Sequence, residues 1–134
     1  MKVVVDTNVV FSALLSDNSK QREILLKTDY EFLSPNFIFI ELFKYKEKIK
    51  KYSRLNDTEI LEYFSIIIEN IQFIRPDTVT EINLQSAYDL CKDVDEKDTV
   101  FIALALEFDA NLWTGDKKLM THLESKGFSN FFIL

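Results

Sequence analysis

Met1-Lys2-Val3-Val4-Val5-Asp6-Thr7-Asn8 opens the chain with three successive valines closed by an acid and two small polar residues. A short apolar run of this kind is the pattern of a fully buried parallel strand. The aspartate behind it is delivered to the carboxyl edge of an α/β sheet, where such folds place their ligands. The remaining chain is read for what else arrives at that edge.

Four further strands are predicted, at 31–34 before Pro35, at 72–74 before Pro76, at 111–114 and at 131–133. Between them lie helical patterns. One starts behind Asn8 and runs to Leu15, and a second is capped by Ser19. A single helix is expected over about 36–51, because F-I-F-I-E-L-F joins a basic half with no breaker between. Another opens at the capping box Asn56-Asp57-Thr58-Glu59 and turns Ile60, Leu61, Phe64, Ile67 and Ile68 to one side. Further helices are expected over 80–92, over 99–108, where apolarity on almost every side implies a sandwiched interior position, and over 117–126. Strands alternating with helices predict an α/β fold of three layers, α/β/α, with a central parallel five-stranded sheet.

With 134 residues, 47% of them hydrophobic, and twelve Phe against two Gly and two Pro, the chain suits one compact domain over 1–134. The net charge of -6 and a pI of about 4.8 mean that a nucleic acid would have to meet a local basic patch. The lone Cys91 excludes an internal disulfide. Together with the lack of a leader-like start it predicts the cytoplasm. No apolar run approaches the roughly 20 residues that span a bilayer, so no membrane is expected. The lone His122 argues against a histidine zinc or haem site.

Four acids sit badly for solvated positions. Asp6 ends the apolar strand, Glu41 interrupts F-I-F-I-E-L-F, Asp98 heads the most apolar helix, and Asp116 follows a strand through one glycine. Ionised carboxylates at half-buried places are costly unless paired or coordinated, and these motifs hold no cation except Lys97, Lys117 and Lys118. Converging carboxylates without His or Cys form a hard, all-oxygen site suited to Mg²⁺ or Mn²⁺, whose charge also lets the acids tolerate one another. Such a site does phosphoryl chemistry, with a phosphodiester as the natural substrate. Thr7, Asn8 and Thr114 stand beside the acids and would orient them or bind phosphate. Each acid also has a plainer reading: Asp6, Asp98 and Asp116 as helix caps, Glu41 as a partly exposed helix position.

With V-V-V-D-T-N-V, Glu41, V-D-E-K-D-T-V-F-I-A-L-A-L-E and L-W-T-G-D-K-K-L in this order, the chain resembles the PIN-domain nucleases over essentially its whole length. It is similar in particular to the small VapC-type toxins. The resemblance implies an acidic quartet of Asp6, Glu41, Asp98 and Asp116, with Asp95 as an additional acid. Asp95 and Asp98 are one helical turn apart, so both could face one metal. Asp93 is a doubtful neighbour. The resemblance further implies a Mg²⁺- or Mn²⁺-dependent endoribonuclease that cuts RNA, often a homodimer, held inactive in toxin members by an antitoxin.

RNA binding by an acidic chain is expected to use Lys44, Lys46, Lys48, Lys50, Lys51 and Arg54, interleaved with Tyr45 and Tyr52 on the helix of Glu41, since cations follow phosphates and aromatics stack on bases. Lys117 beside Asp116 would contact phosphate near the scissile bond. For each lysine the plainer reading is a solvated helix face. The rival from another class is a non-catalytic PIN-like or receiver-like module that binds metal and RNA or protein. A receiver would require a paired acid after the first strand, where this chain has Thr7 and Asn8, and an acceptor Asp ending the third, where it has Arg75-Pro76.

Overall fold

The computed structural model describes residues 1–27 and 29–134. Four strands, β1 (Lys2–Val5), β2 (Glu31–Pro35), β3 (Ile71–Ile74) and β4 (Asn111–Trp113), form one parallel sheet in the order β3-β2-β1-β4. The chain steps outward through β1, β2 and β3, then returns to lay β4 on the other side of β1. The strand order therefore reverses between β1 and β4, and the crevice beyond the carboxyl ends of those two strands is where open α/β sheets bind ligands.

The pleat sorts the side chains. Val3, Val5, Phe32 and Trp113 face one way and pack beneath α1 (Thr7–Ala13), α2 (Lys20–Leu25), α3 (Ile38–Lys44), α4 (Lys46–Tyr52) and α5 (Asp57–Asn70). Val4, Leu33 and Leu112 face the other way, against α6 (Glu81–Cys91), α7 (Thr99–Glu107) and α8 (Lys117–Ser125). Valines at 3, 4 and 5 are all needed because both faces of the central strand are covered. The result is the expected three-layer α/β/α arrangement. Helix α7 is the interior helix predicted, with Phe101, Ile102, Ala103, Leu104 and Ala105 all buried, since it packs on β1, β2 and β4 with α6 on its other side. The capping box also forms: the Glu59 N–H donates to Asn56 Oδ1 at 2.8 Å, and the Asn56 N–H donates to Glu59 Oε1 at 3.1 Å.

Three expectations are corrected. The fifth strand at 131–133 is a single bridge between Phe131 and Leu112. In three-residue β4 only Leu112 turns its peptide groups away from β1. Its N–H donates to the Asn130 carbonyl at 2.8 Å and its carbonyl accepts from Phe132 at 2.9 Å, which exhausts the edge. The helix expected over 36–51 is two helices, α3 and α4, which meet at Tyr45. Tyr45 leaves helical geometry with its ring edge-on to Phe11 at 5.4 Å, a tertiary contact with no local breaker to announce it. On α5, Leu61 shares the helical spacing of its neighbours but is 65% exposed. No helix among the described residues is long and apolar enough to cross a membrane.

Candidate active site

Asp6 leaves β1 at its carboxyl end, with its N–H donating to the Trp113 carbonyl of β4 at 3.2 Å. It is 8% exposed and caps α1, where its Oδ1 accepts from the Val9 N–H at 3.0 Å. Burial raises its carboxyl above the usual 3.8. The Thr114 side chain and the Val9 and Asn8 backbone N–H groups counter this, while the charge on Asp116 adds to it. The cap reading of Asp6 holds, and the cap uses Oδ1, one of its two carboxylate oxygens.

Asp116 arrives from the neighbouring strand by the same local logic. Thr114-Gly115 carries the chain off β4, and Asp116 Oδ1 accepts from the Leu119 N–H at 3.0 Å to start α8. Thr114, itself buried, links the two loops. Its Oγ1 accepts from the Asp116 N–H at 3.1 Å and its side chain hydrogen-bonds the Asp6 carboxyl.

Asp98 comes from the opposite layer, at the start of α7, and makes no capping hydrogen bond with its side chain. Its carboxyl is pushed up to about 7, first by burial and then by the charges of Asp95, Asp6, Asp116 and Glu41. One half-buried carboxyl is thus raised by acids from three other segments as well as its own. Glu41 lies half-buried in the first turn of α3. Asp95 is exposed and accepts from the Lys97 N–H at 3.0 Å as the cap of the short turn leading to α7. No three of these acids stand close enough, among the described residues, to form a closed metal cage.

Cations are elsewhere. The ion pairs among the described residues join Arg75 to Asp77, Lys92 to Asp89 and Lys126 to Asp93, so none engages the five acids. The Lys126 contact holds the Asp93 carboxyl below its usual range, which gives Asp93 a surface role apart from the group. Thr7 adds a second unbalanced feature. It is buried, and its Oγ1 has no hydrogen-bond partner, an arrangement that ordinarily costs about 1–3 kcal/mol. Asn8 is exposed and reaches Asp6 through its backbone N–H.

Of the four lysines singled out, Lys117 begins α8 directly behind Asp116 and is exposed. Lys44 ends α3, three residues past Glu41. Lys48 and Lys51 lie beyond the break at Tyr45, on α4 and not on the helix of Glu41, so that expectation is corrected. Their ammonium groups sit over the rings of Tyr45 at 5.6 Å and Tyr52 at 5.3 Å. A cavity of about 540 Å³ is an apolar groove between α3, α4 and α5 with Phe43, Leu61 and Phe64 among its walls, and none of the five acids lines it.

One positioning residue escaped the sequence reading. Ser34 of β2 is fully buried, and its Oγ donates to the Val5 carbonyl at 2.9 Å, fixing the end of β1 from which Asp6 departs. The only sequence signal was a serine inside the apolar strand Phe32-Leu33-Ser34.

A family model described as PIN domain matches residues 4–129. An uncharacterized protein of Methanocaldococcus jannaschii is 32% identical over 126 residues, covering 90% of this chain and 74% of the archaeal protein. The family match runs from within β1 to just past α8, and so takes in every segment that carries one of the five acids. The chain belongs to the PIN-domain family, whose members are generally nucleases.

Proposed function

We propose that residues 1–134 form one domain, a Mg²⁺- or Mn²⁺-dependent endoribonuclease that hydrolyses RNA phosphodiester bonds in the cytoplasm as the VapC-type toxin of a toxin–antitoxin pair. The observation that carries this reading is the carboxyl of Asp98, raised first by its burial and then by four other acids that have no cationic partner among the described residues. Acids held together at such cost are expected where a cation completes them.

The donor chemistry suits a hard divalent ion, while no three of the acids among the described residues stand close enough for a closed cage. Asp6, Glu41, Asp98 and Asp116 offer oxygen donors alone, with Asp95 a turn away. Burial pushes the nearby Cys91 thiol up, so it stays protonated and offers no thiolate. These carboxylates would hold the ion; when bound, it makes a water nucleophilic and neutralises charge on the phosphate and the leaving oxygen. The rest is done by the chain. β1, buried on both faces, keeps Asp6 at a fixed place, and Thr114 ties that place to the Asp116 loop. Capping occupies Oδ1 of Asp6 and Oδ1 of Asp116. Lys117 supplies an ammonium to the phosphate of the strand, while Lys44, Lys48 and Lys51 follow the phosphates further out. Thr7, Asn8 and Thr114 orient the acids. The partners proposed, a second copy in a homodimer and an antitoxin, have the groove of Phe43, Leu61 and Phe64 available to them.

The test is cleavage of mixed RNAs by the purified chain with Mn²⁺, mapping the new ends. Asp6→Asn and Asp98→Asn should abolish cleavage while circular dichroism and melting remain those of a folded protein. Equal cleavage by the wild type and both variants, in preparations cleared of contaminating nuclease, would defeat the assignment. An open reading frame beside this one that encodes an inhibitory partner would support the toxin reading.

A further inference from the structure

Beside the acids, on the side of α1 and α8, lies a second cavity of about 290 Å³. Both acid-bearing loops build it: Asn8 and Val9 follow Asp6, and Thr114, Gly115 and Lys117 flank Asp116. Thr114, whose side chain acts on the Asp6 carboxyl, also lines the cavity.

The lining has two characters. Trp113, Met120 and Phe132 make an apolar side, in which the Trp113 and Phe132 rings lie 5.0 Å apart. Ser12 of α1 and Gln21 of α2 make a polar side. Gln21 Oε1 accepts from Ser19 Oγ at 3.3 Å, which leaves its amide N–H groups without an acceptor among the described residues. The side chains of Ser12 and Asn8 have no hydrogen-bond partner there either. A purine or pyrimidine asks for this combination: apolar surface for its faces, amide and hydroxyl groups for its edge, and a cation for the attached phosphate. The volume falls just under the roughly 300–1,000 Å³ of sites for larger ligands, which suits one base.

We propose that this cavity is a base-recognition subsite, in which Gln21 and Ser12 read the edge of the nucleotide adjoining the scissile phosphate, so that cleavage is base-selective at that position. The proposal rests on the ribonuclease reading and deepens it, from RNA in general to RNA bearing a preferred base at one position.

Trp113 is the only tryptophan of the chain and lines the cavity, so its fluorescence reports occupancy without any cleavage. Titration of the full chain with AMP, GMP, CMP, UMP and ribose 5-phosphate should show one base binding tighter than the rest and ribose 5-phosphate leaving the signal unchanged. Gln21→Ala and Ser12→Ala should each weaken the preferred nucleotide by about five-fold, one lost hydrogen bond, and level the four. On random single-stranded RNA with Mn²⁺, mapped ends should show one enriched base next to the cut, an enrichment lost in Gln21→Ala. Indistinguishable titrations with all five compounds, or a base preference untouched in both variants, would overturn the subsite. Base-selective titration that depends on Gln21, in a protein that cuts no RNA, would overturn the nuclease and leave the subsite standing.

Discussion

Asp98 is the residue at which the site's electrostatics become measurable. Its folded carboxyl titrates at about 7 in the metal-free protein, well above the usual 3.8, through burial and the acids around it. As pH falls from 8, the folded state takes up this proton near 7, whereas the unfolded chain does so only near 4. The folded state therefore binds more protons between those values, and stability rises as pH falls through the window. Asp6, raised by burial, acts in the same direction. The metal-free protein should accordingly melt higher at pH 5.5 than at pH 8, and Asp98→Asn should flatten the difference. Mn²⁺ should raise the melting temperature at pH 8 in the wild type alone. A melting temperature independent of both pH and Mn²⁺ would leave the carboxylates without a shared cation.

At the scale of elements, two contacts decide how the edge is built. The bond from Ser34 Oγ to the Val5 carbonyl crosses from β2 to the last residue of β1. Ser34→Ala should cost about 1 kcal/mol of stability in denaturant titrations. The break at Tyr45 divides the basic stretch, leaving Lys44 with Glu41 on α3 and swinging Lys46 to Lys51 onto α4. Replacing Lys48, Lys50 and Lys51 together by Ala should weaken RNA binding and reduce its salt slope by up to about 2, at roughly 0.7 per single-strand phosphate contact. An unchanged slope would make α4 a solvated face whose lysines only cover tyrosine rings. The elements themselves were largely legible, because Ser19, Asn56 and Thr80 are caps with a local mechanism. The break at Tyr45 was not, because it answers to Phe11, more than thirty residues away in the chain.

The whole molecule carries a net charge of -6 and leaves an apolar groove, with Phe43 69% and Leu61 65% exposed, on the helical layer that covers Val3 and Val5. If a second copy seats there, Phe43→Asp and Leu61→Asp should convert a dimer to a monomer in sedimentation while cleavage per chain persists. A wild type that is already monomeric would reserve the groove for a different partner.

The sequence by itself determined the α/β class, most strand positions and the burial of Asp6, because those are local matters, whereas Asp116, expected at a half-buried place, is exposed. Three valines ending in an acid have few other uses, and a carboxylate inside an apolar run is conspicuous whatever surrounds it. Only the tertiary structure decided that β4 lies beside β1, with the strand order reversing between them. That return across the sheet sets Asp116 against Asp6, through Thr114, and brings both within the field of Asp98. Strand order is a property of long-range pairing, which no spacing along the chain encodes. For the same reason the sheet's fifth member shrank to one bridge: Phe131-Phe132-Ile133 reads as a strand, but three-residue β4 had only Leu112 left to pair with it.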